Sequence, residues 1–141
     1  MALILADILR VLEKIAPPHL AEDWDNSGLQ VGDPGREVGS VWVALDPSPD
    51  VVSAACRKGV GLLVTHHPLI FRPLKQIDTR TPLGAVIEKA LRHRLAVYAM
   101  HTNLDAAAAG LNDMLCERRG VQRRTPLVGR EGTGTRPGPG I

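Results

Sequence analysis

Three histidines and one aspartate hold the chemical potential of this chain. His66-His67 follows directly on the apolar run 60–65, and His101-x-x-x-Asp105 follows the apolar run 95–100. Neutral imidazole coordinates zinc, iron, nickel and copper, and a carboxylate adds an anionic oxygen that also suits manganese. Open α/β sheets collect their ligand-binding groups at the carboxyl ends of strands. His66, His67 and Asp105 are therefore candidate ligands for a divalent metal ion. Neighbouring residues on a strand point to opposite faces. Where the backbone leaves the strand, His66 and His67 are free to diverge around a cleft, and Pro68 helps force that exit by removing a backbone donor. His101 has two readings: a further ligand, or a catalytic proton shuttle, because imidazole titrates near neutral pH. His19, after a diproline, and His93, between Arg92 and Arg94, read as solvated groups unrelated to the site.

Other chemistries are poorly served. Cys56 and Cys116 fall in predicted helices without a C-x-x-C spacing or any signature of an activated thiolate. The chain contains no G-x-S-x-G elbow and no P-loop, and Gly32-Asp-Pro-Gly35 reads as a turn.

The elements that must position these residues are legible as a β-α-β-α-β series. Residues 38–45, 60–65 and 95–100 read as strands, with a further short strand at Leu29–Val31. Ser48-Pro49 and Thr81-Pro82 each combine an N-cap with proline at the first helical position. The first predicted helix runs to about Lys58, with Gly59 as its stop. The second carries Leu83, Val86, Ile87, Ala90 and Leu91 on one face. An amphipathic helix is expected over residues 5–15, ended by Pro17-Pro18, and another over 110–118. This order predicts an α/β fold, a parallel or mixed sheet flanked by helices. Between the first helix and Leu29 lies the polar loop Trp24-Asp-Asn-Ser-Gly28. It has two readings: a border of the same cleft, or a turn with Trp24 plugging the core.

Composition bounds the rest. The 141 residues are 44% hydrophobic but only 3% aromatic, so one aliphatic core is expected. The folded part is expected over residues 1–128, with 129–141, rich in Gly and Pro, as a disordered tail. Two unpatterned cysteines, no signal-peptide pattern and no run long enough to cross a bilayer predict a cytoplasmic protein without a membrane partner. The arginines of the last stretch make it basic, yet it lacks aromatic residues to stack on bases, so nucleic acid is not an expected partner.

Three motifs in order, Trp24-Asp-Asn-Ser-Gly-Leu-Gln-Val-Gly32, Thr65-His-His-Pro68 and His101-Thr-Asn-Leu-Asp105, resemble the Nif-three-like dinuclear-metal proteins, often labelled GTP cyclohydrolase 1 type 2. The resemblance covers about residues 1–128 and matches the amino-terminal half of that family. It implies an α/β fold assembled as a homohexamer around two divalent metal ions. By the family pattern His66 binds one ion, and His67 and Asp105 bind the other. The family completes the centre with a late His and a Glu four residues on, whereas here no His follows His101, and Glu117 and Glu131 lack that spacing. The expectation is a fragment or truncated product that holds at most one ion tightly. Two functions follow. One is a metal-dependent hydrolase of the cyclohydrolase type acting on a purine nucleotide. The other is a non-enzymatic metal-binding or regulatory assembly module.

Overall fold

The structure, a computed structural model, describes residues 3–122. The expected tail lies outside them. A short strand β1 (Leu3–Ile4) leads into helix α1 (Leu5–Ile15), a 3-10 turn (Pro18–Leu20) follows, and the chain returns as β2 (Gly28–Val31). Next come β3 (Glu37–Val38), β4 (Val41–Ala44), α2 (Pro49–Arg57), β5 (Leu62–Thr65), α3 (Pro82–Arg92) and β6 (Ala96–Ala99). Two short helices complete the order, α4 (Thr102–Ala106) and α5 (Leu111–Arg118).

The main sheet has the strand order β2-β6-β5-β4. Strands β4, β5 and β6 are parallel, and β2 joins the far edge antiparallel to β6, so the sheet is mixed. The single strand expected over 38–45 is broken. Gly39 and Ser40 separate β3, which pairs antiparallel with β1, from β4, which pairs with β5. Glycine has no side chain to pack and is weak inside a strand, which makes it a natural place for the chain to change sheets.

Both caps read from sequence are in place. The Ser48 hydroxyl accepts from the Val51 N–H at 3.3 Å, and the Thr81 hydroxyl accepts from the Gly84 N–H at 3.1 Å. Gly59, just past the end of α2, has φ +65°, a left-handed conformation that glycine adopts without steric cost.

The central strands β5 and β6 are buried on both faces, as parallel strands commonly are. Leu62 and Val64 of β5, with Ala96 and Tyr98 of β6, face a cluster that includes Leu5 and Leu9 of α1. The alternate residues Leu63 and Val97 face Val52 and Ala55 of α2 and Val86, Ile87 and Ala90 of α3. This period of two locks the register, because a one-residue slip would move each apolar set to the wrong layer. The central strands therefore cannot slide, and their carboxyl ends are held side by side.

Candidate metal centre

The pairing that fixes β5 continues past its end. The His66 N–H donates to the Ala44 carbonyl at 3.3 Å and the His67 N–H to the Leu45 carbonyl at 3.0 Å. The buried Thr65 hydroxyl donates to the His67 carbonyl at 2.8 Å and turns the chain at that point. On the neighbouring strand, the Met100 N–H donates to the Thr65 carbonyl at 2.9 Å, which brings His101 alongside. His101 then serves as the N-cap of α4, with its carbonyl accepting from the Asp105 N–H at 3.1 Å. One turn of helix thus returns Asp105 to the strand ends.

The three imidazoles converge. Each of His66, His67 and His101 offers a nitrogen lying within 4.8 Å of the other two. Their ring centroids are 5.0 Å apart for His66 and His67, 5.1 Å for His66 and His101, and 5.6 Å for His67 and His101.

Each ring is held at Nδ1 by a different oxygen. His66 Nδ1 meets the Met100 carbonyl at 3.0 Å, His67 Nδ1 meets Asp46 Oδ1 at 2.6 Å, and His101 Nδ1 meets Asp25 Oδ1 at 2.8 Å. Carbonyl and carboxylate oxygens only accept, so each Nδ1 carries the proton and each neutral ring keeps its Nε2 lone pair for a ligand. His66 Nε2 lies 3.8 Å from Asp105 Oδ1. That oxygen is buried and has no hydrogen-bond partner among the described residues. Two ligands sharing one ion through bonds of about 2 Å stand roughly 3–4 Å apart. The orphaned carboxylate oxygen and the freed Nε2 atoms therefore fit a divalent cation.

Asp25 is the most enclosed group of the site, its side chain fully shielded from solvent. Oδ1 accepts from His101 Nδ1 and from the Asn26 N–H at 2.7 Å. Oδ2 accepts from the Ser27 hydroxyl at 2.7 Å, the Thr102 N–H at 3.2 Å and the Thr102 hydroxyl. Burial pushes its pKa up, but the hydrogen bonds from His101, Ser27, Thr102 and the Asn26 N–H together outweigh burial and hold the carboxyl well below its usual range. Asp25 therefore remains an anion beside His101.

The loop around Trp24 borders this cleft. Trp24 is 61% exposed, so it does not plug the core. Its ring meets Phe71 edge-on at 6.1 Å and His101 at 6.3 Å, and Phe71 lies 6.5 Å from His101. A clasp joins the two aromatic segments. The Asn26 amide donates to the Ile70 carbonyl, Gln30 Oε1 accepts from the Ile70 N–H at 3.1 Å, and Gln30 Nε2 donates to the Asn26 carbonyl at 2.7 Å.

The structure thus brings His66, His67 and His101 together and places Asp105 Oδ1 beside His66. Asp46 and Phe71 were not anticipated. Asp46 could have been found by the strand-end rule that selected His66 and His101, since it follows the run 41–45 directly. Phe71 carries no signal in sequence, because only the clasp through Ile70 brings it to the site. His19 and His93 are exposed, and His93 caps α3 through the Lys89 carbonyl at 3.0 Å. Cys56 is buried, and burial pushes its thiol pKa up against the opposing charge of Lys89, which suits packing rather than nucleophilic attack. No helix among the described residues is long and apolar enough to cross a membrane.

A family model described as Duf34/NIF3 (NGG1p interacting factor 3) matches residues 3–136. The GTP cyclohydrolase 1 type 2 homolog of Listeria innocua is 44% identical over 117 residues, covering 83% of this chain and 31% of the relative. Among solved structures, a Bacillus cereus protein related to NIF3 superposes with a TM-score of 0.81 at 41% identity, over 86% of this chain and 34% of that one. Reduced HcgD from Methanocaldococcus jannaschii superposes with a TM-score of 0.84 at 35% identity, over 91% of this chain and 51% of that one. The chain thus spans about a third of the length of the first of these relatives.

Proposed function

The chain belongs to the Duf34/NIF3 family, and from that premise we propose that it binds a divalent metal ion through His66, His67 and Asp105 and serves a metal-dependent hydrolase acting on a purine nucleotide. The observation that carries the reading is the set of three converging, Nδ1-anchored imidazoles, with a carboxylate oxygen beside His66 that has no hydrogen-bond partner among the described residues. Zinc, iron, manganese and nickel all suit a donor set of imidazoles and one carboxylate.

A bound divalent ion supplies Lewis-acid polarisation and makes water acidic enough to lose a proton near neutral pH. The residues do the rest. His66, His67 and Asp105 fix the ion's position at the strand ends. His101 stands beside them with its Nε2 free to take a proton from water and return it to a leaving group. Asp25 holds the opposite ring nitrogen, so the transfer runs through Nε2 alone. The relatives' name points to GTP as the nucleotide to test, and homohexamer formation belongs to the same proposal.

Purified chain supplied with manganese, iron or zinc is expected to convert GTP, with product detected by chromatography. Asp105→Ala should abolish turnover through loss of metal. His101→Ala should abolish it with metal retained. A wild-type chain that holds metal and leaves GTP untouched would favour the second reading, a non-enzymatic metal-binding module that acts through assembly.

A further inference from the structure

The chain has only two Trp, one Tyr and one Phe. Its core is built from aliphatic side chains, with Tyr98 the one aromatic ring fully inside. Two of the remaining rings, Trp24 and Phe71, stand together at the mouth of the histidine cluster, 61% and 46% exposed. Large aromatic surfaces gain from burial, so leaving two of them open side by side is unfavourable unless something covers them.

The arrangement is also built rather than incidental. Trp24 and Phe71 come from segments far apart in sequence, and the main chain next to Phe71 is gripped at both its N–H and its carbonyl by the Gln30 and Asn26 side chains. Those amides are held in turn by their bonds to one another and to the loop backbone. Asp25, the residue after Trp24, is locked to His101 and Thr102. Both aromatic rings are therefore fixed relative to the His101 imidazole, which each meets edge-on.

We infer that Trp24 and Phe71 form the seat for a planar heteroaromatic ring, laid against the indole face with its polar edge turned toward His101. Stacking on an aromatic face tolerates any flat π-system, and the neighbouring imidazole supplies a hydrogen-bonding atom at the ring's edge. This inference rests on the reading of the cluster as a nucleotide-handling centre and assigns the base, rather than the sugar or phosphate, to this wall.

The test uses the full chain freed of metal, so that stacking is read apart from coordination. Guanosine 5′-monophosphate is titrated while tryptophan emission is followed under excitation selective for indole, in a Trp42→Phe background that leaves Trp24 as the only tryptophan. Saturable quenching is expected, with ribose 5-phosphate neither quenching nor competing. Trp24→Leu, followed by the ligand's own proton signals, and Phe71→Leu should each weaken binding by about tenfold or more, while Trp24→Phe, which keeps a ring, should retain most of it. Asp105→Ala should lose metal and keep the nucleotide, which separates failure of the metal reading from failure of this one. The inference is overturned if no saturable quenching occurs, if ribose 5-phosphate competes equally, or if Trp24→Leu binds as wild type. It is overturned equally if Trp24 emission shifts to the blue as protein concentration rises, because a second copy of the chain would then be covering the wall.

Discussion

The side-chain amide of Asn103 donates to the Ala16 carbonyl at 2.8 Å, and both residues are buried. Ala16 caps the end of α1, and the Asn103 oxygen accepts from the His101 N–H at 2.9 Å. One side chain thus satisfies the end of the first helix and the backbone of a site histidine. Asn103→Ala leaves a buried carbonyl and a partly buried N–H without partners and is expected to cost about 2–4 kcal/mol. Urea unfolding measures it, and a loss below about 0.5 kcal/mol would mean that water replaces both bonds.

Asp25 predicts an acid limb in stability. Its folded pKa is depressed, burial opposing the effect and the hydrogen bonds from His101, Ser27, Thr102 and the Asn26 N–H prevailing, against an ordinary value of 3.8. As pH falls through that value the unfolded chain takes up a proton that the native state refuses. The stabilisation is therefore complete above it and is lost as pH drops toward the folded value. Asp25→Asn should be less stable at neutral pH and should show a shallower decline on acidification. Parallel acid limbs for the two proteins would place the titration elsewhere.

Metal stoichiometry follows from the ligand count. Two imidazoles and one carboxylate, those of His66, His67 and Asp105, suffice for one ion, so dialysed protein is expected to retain at most one equivalent. Affinity should fall on acidification, because a protonated ring cannot coordinate. Asp105→Ala should remove most of the binding, since the ion loses its one anionic ligand. Elemental analysis after dialysis checks both statements, and two equivalents held per chain would require ligands from beyond these three residues.

The sequence carried the sheet and the primary site to different depths. The strands at 60–65 and 95–100 were legible because both are short apolar runs bounded by helix stops, and their polar termini named His66, His67, His101 and Asp105. The helix caps at Ser48 and Thr81 were legible because the side chain and the following proline act locally. What stayed hidden depends on contacts made through space. Asp46 supports His67 only because β4 lies beside β5, and Phe71 reaches the site only through the grip on Ile70. The break at Gly39 was missed because an apolar pattern on either side of a glycine reads the same whether the strand continues or changes sheet.

The edge strand β4 is open to association. Val43 is 81% exposed and Leu45 beyond it 61%, on a strand that, among the described residues, is paired along one side only. Such an edge invites pairing with another chain. Sedimentation should show self-association that rises with concentration, and Val43→Lys should suppress it. A wild-type chain that stays monomeric throughout would show that this edge is covered or inert.

The carboxylates behind His101 and His67 differ in their surroundings. Asp25 is sealed and saturated with donors, whereas Asp46 is 56% exposed and stands just past the open edge of the sheet. The cluster therefore has a stiff wall and a compliant one. Were a metal held here, ions of different radius would be expected to displace His67 more than His101, which a comparison of the two rings' positions across zinc, manganese and nickel forms would test.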